Sequence, residues 1–312
     1  MAGFTHTPII GRDPQRFARQ GVGLVCEGGG TRGFYSSGVF EAFMNAGILF
    51  PYIVGISAGA ANALSYISGQ KLRSRQIIEN YVGRHEYVSK RNLVLHRSMF
   101  WFDYIFQTVP ERHIFFDWEV ALRQPLSYNA GAFDCETGET VWFTLDDLRG
   151  GSGRLDALGN PLGDFTGVIA SCSVPLMCPI VDYKGMKMLD GGILCSIPIE
   201  KSIADGNDFH VIVLTRNVGF VKPPMGHERL IRTVYRKYPR VAEALAQRHT
   251  VYNRQLALCE QLEREGRALI IRPQEVVGDS RTSADIPALL ALHDAGTSEA
   301  EVLMGRVLDA VL

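Results

Sequence analysis

The pentapeptide GISAG at residues 55–59 contains the strongest nucleophile candidate of the chain, Ser57. A short apolar run, Tyr52 to Val54, precedes it, and a helix-compatible run, Ala58 to Ser68, follows it. Gly55 and Gly59 on either side allow the sharp strand-to-helix turn that projects a serine hydroxyl away from the backbone. The same pattern also fits an ordinary turn whose serine caps a helix.

A second glycine-rich turn, GGGTRG at residues 28–33, follows the β-like run Val22 to Cys26. Such a loop can cradle the pyrophosphate of a dinucleotide, but an acidic residue about 20 positions downstream is then expected to bind the ribose. The region around Val54 contains no acidic residue, and Glu27 would set a negative charge beside the phosphates. Consecutive glycine amides can instead stabilise an oxyanion. The serine motif that follows favours this second interpretation.

A serine nucleophile needs a base, and Asp190 is the best-marked candidate. It ends an apolar strand-like run and is followed by Gly191 and Gly192, which leave the backbone free to orient the carboxylate. No histidine stands in a comparable glycine-framed loop. The eight histidines are His6, His85, His96, His113, His210, His227, His249 and His293.

The elements around these loops predict an α/β fold. A strand at Val22–Cys26 is followed by a helix at Gly33–Asn45, and a strand at Tyr52–Val54 by a helix at Ala58–Ser68. Two hairpins are expected further on, at 127–144 and 181–189, and a buried strand at Phe209–Thr215. Residues 71–125 should be mostly helical, and the glycine-rich residues 149–164 should form a surface loop.

Residues beyond Val221 change character and are mainly helical. A helical region at 226–266 should bury one face. That face carries Val241, Leu245, Tyr252, Leu256 and Cys259. A short strand at 269–271 and a helix at 285–312 follow. We therefore divide the chain into a lead-in at 1–21, an α/β domain at 22–221 and an attached, mainly helical unit at 222–312.

Composition excludes several classes of protein. Hydrophobic residues make up 46% of the 312 residues and the net charge is −1, values typical of a globular protein and not of a disordered or nucleic-acid-binding one. No apolar run reaches the ~18 residues of a membrane span, and no secretory signal is evident, so a cytoplasmic location is expected. The six cysteines form no CxxC pair and should be reduced and mostly buried. No metal-ligand spacing is present, so no metal or other cofactor is expected.

The three motifs together resemble the patatin-like phospholipase family over roughly residues 22–216. GGGTRG at 28–33, GISAG at 55–59 and DGG at 190–192 carry the match, with ASCSVP at 170–175 similar as well. The resemblance implies a three-layer α/β/α fold with a central, mostly parallel sheet and hydrolysis of lipid acyl esters without a cofactor. It makes Ser57 the nucleophile and Asp190 the base, and it assigns the oxyanion hole to the amides of Gly28, Gly29 and Gly30.

The same resemblance places Arg32 at the basic position of the glycine loop and gives Gly33, Gly55, Gly59, Gly191 and Gly192 supporting roles. Ser196 departs from the amide side chain that plant members tend to have there. The C-terminal part is similar to the bacterial cytoplasmic branch of the family, in which an appended domain follows. The implied substrates are those of a phospholipase A, a lysophospholipase or an acylglycerol lipase.

Two alternatives remain open. One is an α/β-hydrolase-type esterase with a Ser-His-Asp triad, using His249 or His293. The other is a lipid-binding protein that keeps the fold without catalysis.

The segment Arg229–Arg240 carries five basic residues and no acidic one. This segment is either a solvated helix face or a patch for peripheral contact with an anionic membrane surface. The oligomeric state is not readable from the sequence.

Overall fold

The computed structural model describes residues 16–149, 153, 162–275 and 282–312. The strands are β1 (Arg16–Phe17), β2 (Val22–Cys26), β3 (Ile48–Leu49), β4 (Tyr52–Ile56), β5 (Ser127–Asp134), β6 (Thr140–Phe143), β7 (Val181–Tyr183), β8 (Met186–Asp190), β9 (Phe209–Val213) and β10 (Ala268–Ile271). The helices are α1 (Phe34–Asn45), α2 (Ala58–Ile67), α3 (Arg73–Ile77), α4 (Lys90–His96), α5 (Trp118–Arg123), α6 (Leu145–Arg149), α7 (Thr166–Cys172), α8 (Ile199–Ala204), α9 (Glu228–Val234), α10 (Pro239–Arg264) and α11 (Ile286–Val311). Short 3-10 turns lie at Gly30–Gly33 and Gly191–Ile193, and π-helical segments at Ile78–Val82 and Tyr104–His113.

The main sheet has the strand order β10-β9-β2-β4-β5-β8-β7. Strands β10, β9, β2, β4 and β5 run parallel to one another. Strand β8 is antiparallel to β5, β7 is antiparallel to β8, and β6 pairs with β5 outside this path. The predicted central, mostly parallel sheet is therefore confirmed.

Helices cover both faces of the sheet. Side chains alternate along a strand, so Leu24 and Cys26 of β2 lie in one core with residues of α1, α2 and α11. Val25 lies in a second core with residues of α8 and α10. This is the three-layer arrangement that the sequence predicts. Among the described helices, none has both the length and the apolar character that crossing a membrane requires.

The predicted elements agree with the structure in kind and differ in detail. Both predicted hairpins form, as β5–β6 and β7–β8. The helical region at 226–266 is two helices: α9 ends at Val234, and α10 begins at Pro239, a residue favoured in the first turn of a helix. Of the predicted lead-in, the described part forms β1, which pairs with β3, and residues 1–15 lie outside the described residues. Most of the predicted loop at 149–164 also lies outside them.

Residues 222–312 are built into this sheet. Their strand β10 pairs in parallel with β9 at one edge. Helix α11 packs closely on α1, where a Cβ atom at Gly296 would lie 2.1 Å from the carbonyl oxygen of Tyr35. The hydroxyl of Tyr35 donates to Glu299 on α11 at 2.7 Å. The C-terminal segment thus supplies one edge strand to the sheet and one helix to each of its two faces. The domain boundary near 222 stays a prediction.

Candidate active site

Ser57 stands at a strained turn between β4 and α2. Its φ of 53° and ψ of −126° lie in a region that residues with a side chain rarely adopt, at a typical cost of about 1–3 kcal/mol. Two contacts hold the turn: the Ser57 N–H donates to the Ser171 hydroxyl at 2.8 Å, and that hydroxyl donates to the Gly131 carbonyl at 2.6 Å. Ser57 is the N-cap residue of α2, so its hydroxyl lies at a helix N-terminus, where negative charge is favoured.

The glycines of the pentapeptide allow close backbone packing. A Cβ atom at Gly59 would lie 2.6 Å from the carbonyl oxygen of Glu27, and one at Gly55 would lie 2.7 Å from the amide nitrogen of Ala60. Gly33 has the same role between the two turns, since its Cβ would lie 2.6 Å from that of Ala58. These contacts bring the turn after β2 against the turn after β4.

The glycine loop lies directly beside Ser57. A Cβ atom at Gly28 would lie 3.2 Å from that of Ser57, and Gly30 has a φ of 58°, which glycine adopts without strain. The Gly28 N–H donates to the carbonyl of Ser196 at 3.3 Å, so it is already engaged. The amides of Gly29 and Gly30 have no acceptor among the described residues.

Strand register brings Asp190 to the same edge of the sheet. Ile56 is opposite Gly131, and Asp190 is opposite Ala132 on the other side of β5. Two inter-strand spacings of about 4.8 Å place the backbones of Ser57 and Asp190 ~10 Å apart, a gap that two facing side chains can bridge. The Asp190 carboxylate accepts the Gly192 N–H at 2.7 Å, and Gly191 packs against the Gly131 carbonyl.

Ser57, the glycine loop and Asp190 line one cavity of about 250 Å³, called here the Asp190 cavity. The predicted loop residue Arg32 is buried and lines it too, and Lys222 and Arg248 complete its basic groups. No histidine is found among the described residues that line it. Among the described residues, no group of three metal-ligating side chains occurs.

A second cavity of about 90 Å³, called here the aromatic cavity, is also lined by Ser57. Its walls are mainly apolar and include Phe34, Tyr87, Phe100, Phe102 and Phe106. The thiol of Cys172 also lines it; burial raises the pKa of this thiol well above its ordinary value, against a lowering hydrogen bond with Ser57. Ser57 is thus shared by a cavity with several charged groups and an apolar one.

The two histidines of the triad alternative lie elsewhere. His293 is buried between α11 and α1, and its Nδ1 is 3.5 Å from a carboxylate oxygen of Asp294. His249 is half-buried on α10, and its Nε2 is 3.4 Å from the Thr250 hydroxyl. Neither lines the Asp190 cavity or the aromatic cavity.

Helix α10 contacts both loops of the site, which sequence reasoning did not foresee. The Nε–H of Arg248 donates to the carbonyl of Gly192. One turn later, the hydroxyl of Tyr252 donates to the buried carboxylate of Glu27 at 2.9 Å, and that carboxylate also accepts the Thr215 N–H at 2.6 Å. Burial and the Glu27 carboxylate raise the pKa of Tyr252. The predicted apolar face of this helix is buried and includes Tyr252. No local sequence pattern indicated a role for Arg248.

Two sequence-family models match the chain. The patatin-like phospholipase model matches residues 24–203, more than half of the chain. A domain of unknown function, DUF6363, matches residues 238–310, which include α10, β10 and most of α11. Arg248 and Tyr252, which contact Gly192 and Glu27, therefore lie in a segment matched by a different family model from the one that matches the loops.

The similarity to individual proteins is low, both for two relatives in sequence and for one solved structure. The uncharacterized protein YjjU of Escherichia coli (strain K12) is 26% identical over 215 residues, covering 68% of this chain and 56% of YjjU. Lysophospholipase NTE1 of Scheffersomyces stipitis is 26% identical over 198 residues, covering 63% of this chain and 12% of that protein. The chain thus spans about half the length of the first relative and a small part of the second. The crystal structure of VipD from Legionella pneumophila matches with a TM-score of 0.46 and 13% identity, covering 91% of this chain and 66% of VipD.

Proposed function

The chain belongs to the patatin-like phospholipase family, and on this basis we propose that it is a serine hydrolase that cleaves acyl esters of lipids with a Ser57–Asp190 dyad. Ser57 lines both the Asp190 cavity and the aromatic cavity, and this is the observation that carries the proposal. An ester bound at Ser57 can place its apolar acyl chain in the aromatic cavity and its polar leaving group in the Asp190 cavity. The name lysophospholipase of the relative NTE1 agrees with this substrate class.

In the first step, the Ser57 oxygen attacks the ester carbonyl carbon while the Asp190 carboxylate accepts the hydroxyl proton. The carbonyl oxygen becomes negatively charged and accepts hydrogen bonds from the amides of Gly29 and Gly30. The Gly28 amide has a supporting role because it is bonded to Ser196. The carbon–oxygen bond to the alcohol then breaks, and Asp190 returns its proton to that oxygen, leaving an acyl-enzyme.

In the second step, water attacks the acyl carbon and gives a proton to Asp190. The bond to the Ser57 oxygen breaks, this oxygen takes the proton back, and the fatty acid leaves. Because a carboxylate is a weaker base than imidazole, stabilisation of the oxyanion must supply a large share of the rate enhancement. The unengaged amides of Gly29 and Gly30 and the N-terminus of α2 are the groups that can stabilise the oxyanion in this way.

We also propose that the protein works at a lipid surface in the cytoplasm. The six cysteines, all described, are free, which agrees with a reducing compartment. The exposed segment Arg229–Arg240 lies next to the Asp190 cavity, since the Tyr235 hydroxyl accepts the N–H of Leu176, which lines that cavity. Leu176 and Met225 at the cavity are themselves exposed apolar residues, as expected of a surface that approaches lipid.

The test is a panel of lipid esters (phospholipids, lysophospholipids and acylglycerols) assayed with wild type, Ser57→Ala and Asp190→Asn. Loss of a catalytic serine can lower kcat by ~10⁶ in an enzyme of comparable chemistry, so both variants should release no fatty acid above background. Single changes to alanine at His249 and His293 should leave most of the activity.

A fluorophosphonate probe separates the competing interpretations. The proposal expects covalent labelling of wild type at Ser57 and none of Ser57→Ala. A protein that binds lipid without catalysis should not be labelled in either form. A well-folded histidine variant as inactive as Ser57→Ala would favour the triad and contradict the dyad.

A further inference from the structure

Arg73 is a buried cation that has no counter-ion among the described residues. It begins α3, its side chain is buried with the residue only 7% exposed, and its Nη1 donates to the Ser65 hydroxyl at 2.9 Å. Its guanidinium carbon lies 5.2 Å from the centre of the Phe116 ring, and its Nε has no hydrogen-bond partner. Within the described part of the chain, no carboxylate lies within ion-pair distance of it.

This arrangement is costly for an arginine. Burial lowers the pKa of Arg73 to about 10, so the group is still charged at neutral pH. A buried charge without a partner strongly destabilises a fold, and contacts with an aromatic ring and one hydroxyl offset only part of this cost. A charge kept in such a place is better explained by an anionic ligand than by folding.

The guanidinium faces a third cavity of about 80 Å³, called here the Arg73 cavity. It continues the aromatic cavity beside Ser57, because the two have six lining residues in common: Phe34, Ala61, Asn62, Tyr87, Ile105 and Phe106. Phe116 and Phe165 add further aromatic walls. An apolar path with a single cationic end thus begins at Ser57.

The length of this path follows from α2. Ser57 and Ser65 are eight residues apart along this helix, a distance of about 12 Å at 1.5 Å per residue, and Arg73 bonds to Ser65. An extended chain advances ~3.5 Å for every three bonds, so about ten bonds separate the reacting carbonyl from the guanidinium.

We propose that the Arg73 cavity binds the carboxylate at the far end of an aliphatic chain, so that this hydrolase accepts acyl groups of about eight to ten carbons that end in a carboxylate. This inference rests on the proposed function for the reaction at Ser57. The guanidinium of Arg73 pairs with the terminal carboxylate, and the aromatic walls hold the methylene groups. A free fatty acid offers the same chemistry if its own carboxylate reaches Arg73.

The experiment compares two esters that differ only at the chain end: p-nitrophenyl nonanoate and the mono-p-nitrophenyl ester of nonanedioic acid. The ratio of their kcat/KM values, carboxylate over methyl, should fall by ~30-fold or more in Arg73→Met, since breaking a buried charge pair costs that much or more. Arg73→Lys, which keeps a cation, should restore part of the ratio. Arg75→Met is the matched control, because Arg75 is half-exposed and already paired with Glu79 and Asp294, and its ratio should equal that of wild type.

Binding is measured separately from catalysis in the Ser57→Ala background. Nonanedioate should raise the unfolding temperature of Ser57→Ala and not that of Ser57→Ala/Arg73→Met. Inhibition of wild type by nonanoate that Arg73→Met abolishes, with no change in the ester ratio, would assign the site to the free fatty acid.

Other outcomes count against the site or against the reaction. An unchanged ratio together with no effect of nonanedioate or nonanoate would overturn the inference. So would an Arg73→Met protein that loses stability and keeps the wild-type ratio, since Arg73 would then be structural. If wild type hydrolyses neither ester while nonanedioate still stabilises the protein through Arg73, the proposed reaction fails and the binding site stands.

Discussion

Replacing Arg248 should lower the rate of ester hydrolysis although this residue lies in the segment matched by the domain of unknown function. Its Nε–H donates to the carbonyl of Gly192, and the Gly192 N–H in turn donates to the Asp190 carboxylate. Arg248 therefore holds in place the residue, Gly192, whose N–H orients the proposed base. We expect it to act as a positioning residue for Asp190.

The magnitude follows from the bond that is lost. A hydrogen bond with a charged partner contributes about 1.5–3 kcal/mol. If that free energy holds Asp190 in its reactive orientation, kcat should fall about 10- to 150-fold in Arg248→Ala, since each 1.4 kcal/mol corresponds to a factor of ten. The KM for a small neutral ester should change little, because such a substrate makes no ionic contact with the lost guanidinium.

The assay uses p-nitrophenyl butyrate with Arg248→Ala, Arg248→Lys and a matched arginine of the same helix, Arg254. Arg254 is exposed and pairs with Glu200 at 3.1 Å, a surface contact worth at most ~1 kcal/mol. Arg254→Ala should therefore keep the wild-type kcat. Millimolar guanidinium should restore part of the kcat of Arg248→Ala, and Arg248→Lys should retain an intermediate value.

A positioning role for Arg248 is refuted if Arg248→Ala keeps the wild-type kcat, or if its kcat falls no more than that of Arg254→Ala. It is also refuted if the loss of kcat follows the loss of thermal stability across the variants and guanidinium restores nothing. In that case the contact with Gly192 would stabilise the fold without orienting Asp190.

Three further predictions concern strain, protonation and the exposed basic segment. Ser57→Gly should unfold about 2–6 °C above Ser57→Ala, because glycine relieves the positive φ; equal unfolding temperatures would show that the turn is not strained. His210 is fully buried and burial lowers its pKa to about 4 from 6.5, so stability should be complete above pH 6.5 and fall toward pH 4, by about 2 kcal/mol at pH 5 from this group. Urea unfolding at pH 7.5 and 5 should show a smaller loss in His210→Asn than in wild type, and parallel losses would contradict this. Binding to anionic vesicles should weaken with salt and with charge reversal at Arg232, Arg236 and Lys237, at ~1 kcal/mol per residue; salt-independent binding would leave this segment a solvated helix face.

Local chemistry explains which features the sequence predicted. The turn at Ser57 depends on Gly55 and Gly59, a few residues away, and the strand and helix around it follow from short-range patterns. The same holds for both hairpins and for the strand that becomes β9. Asp190 could be proposed because two glycines follow it directly. Each of these sequence patterns lies in the same turn, or in the same strand or helix, as the residue whose role it predicts.

Features that depend on contacts between distant segments could not be predicted in this way. Arg248 meets Gly192 across 56 positions, and nothing in its own helix distinguishes it from Arg254. The bond from the Gly28 amide to the Ser196 carbonyl depends on how the chain returns to the glycine loop after Asp190, while the predicted role of Gly28 in the oxyanion hole stays a prediction. In the sequence, Arg73 resembles any polar residue near the start of a helix, and only the packing shows that it is buried with no counter-ion in the part of the chain that the structure describes.

The C-terminal segment bears on the reaction because of where its contacts fall. A helix that only covered the sheet would need apolar residues on one face, and α10 has them. It also directs Arg248 and Tyr252, one turn apart, at the two loops that hold the proposed base and the glycine amides. Arg248 bonds to the Asp190 loop itself and Tyr252 to Glu27, directly before the glycine loop, and a shift of 1 Å in a reacting group can cost ~100-fold in rate. Strand β10 fixes the other end of this helix to the sheet through β9. The segment of unknown function is therefore best understood as the support that sets the geometry of the proposed dyad, and its sequence should be constrained by the loops that it contacts.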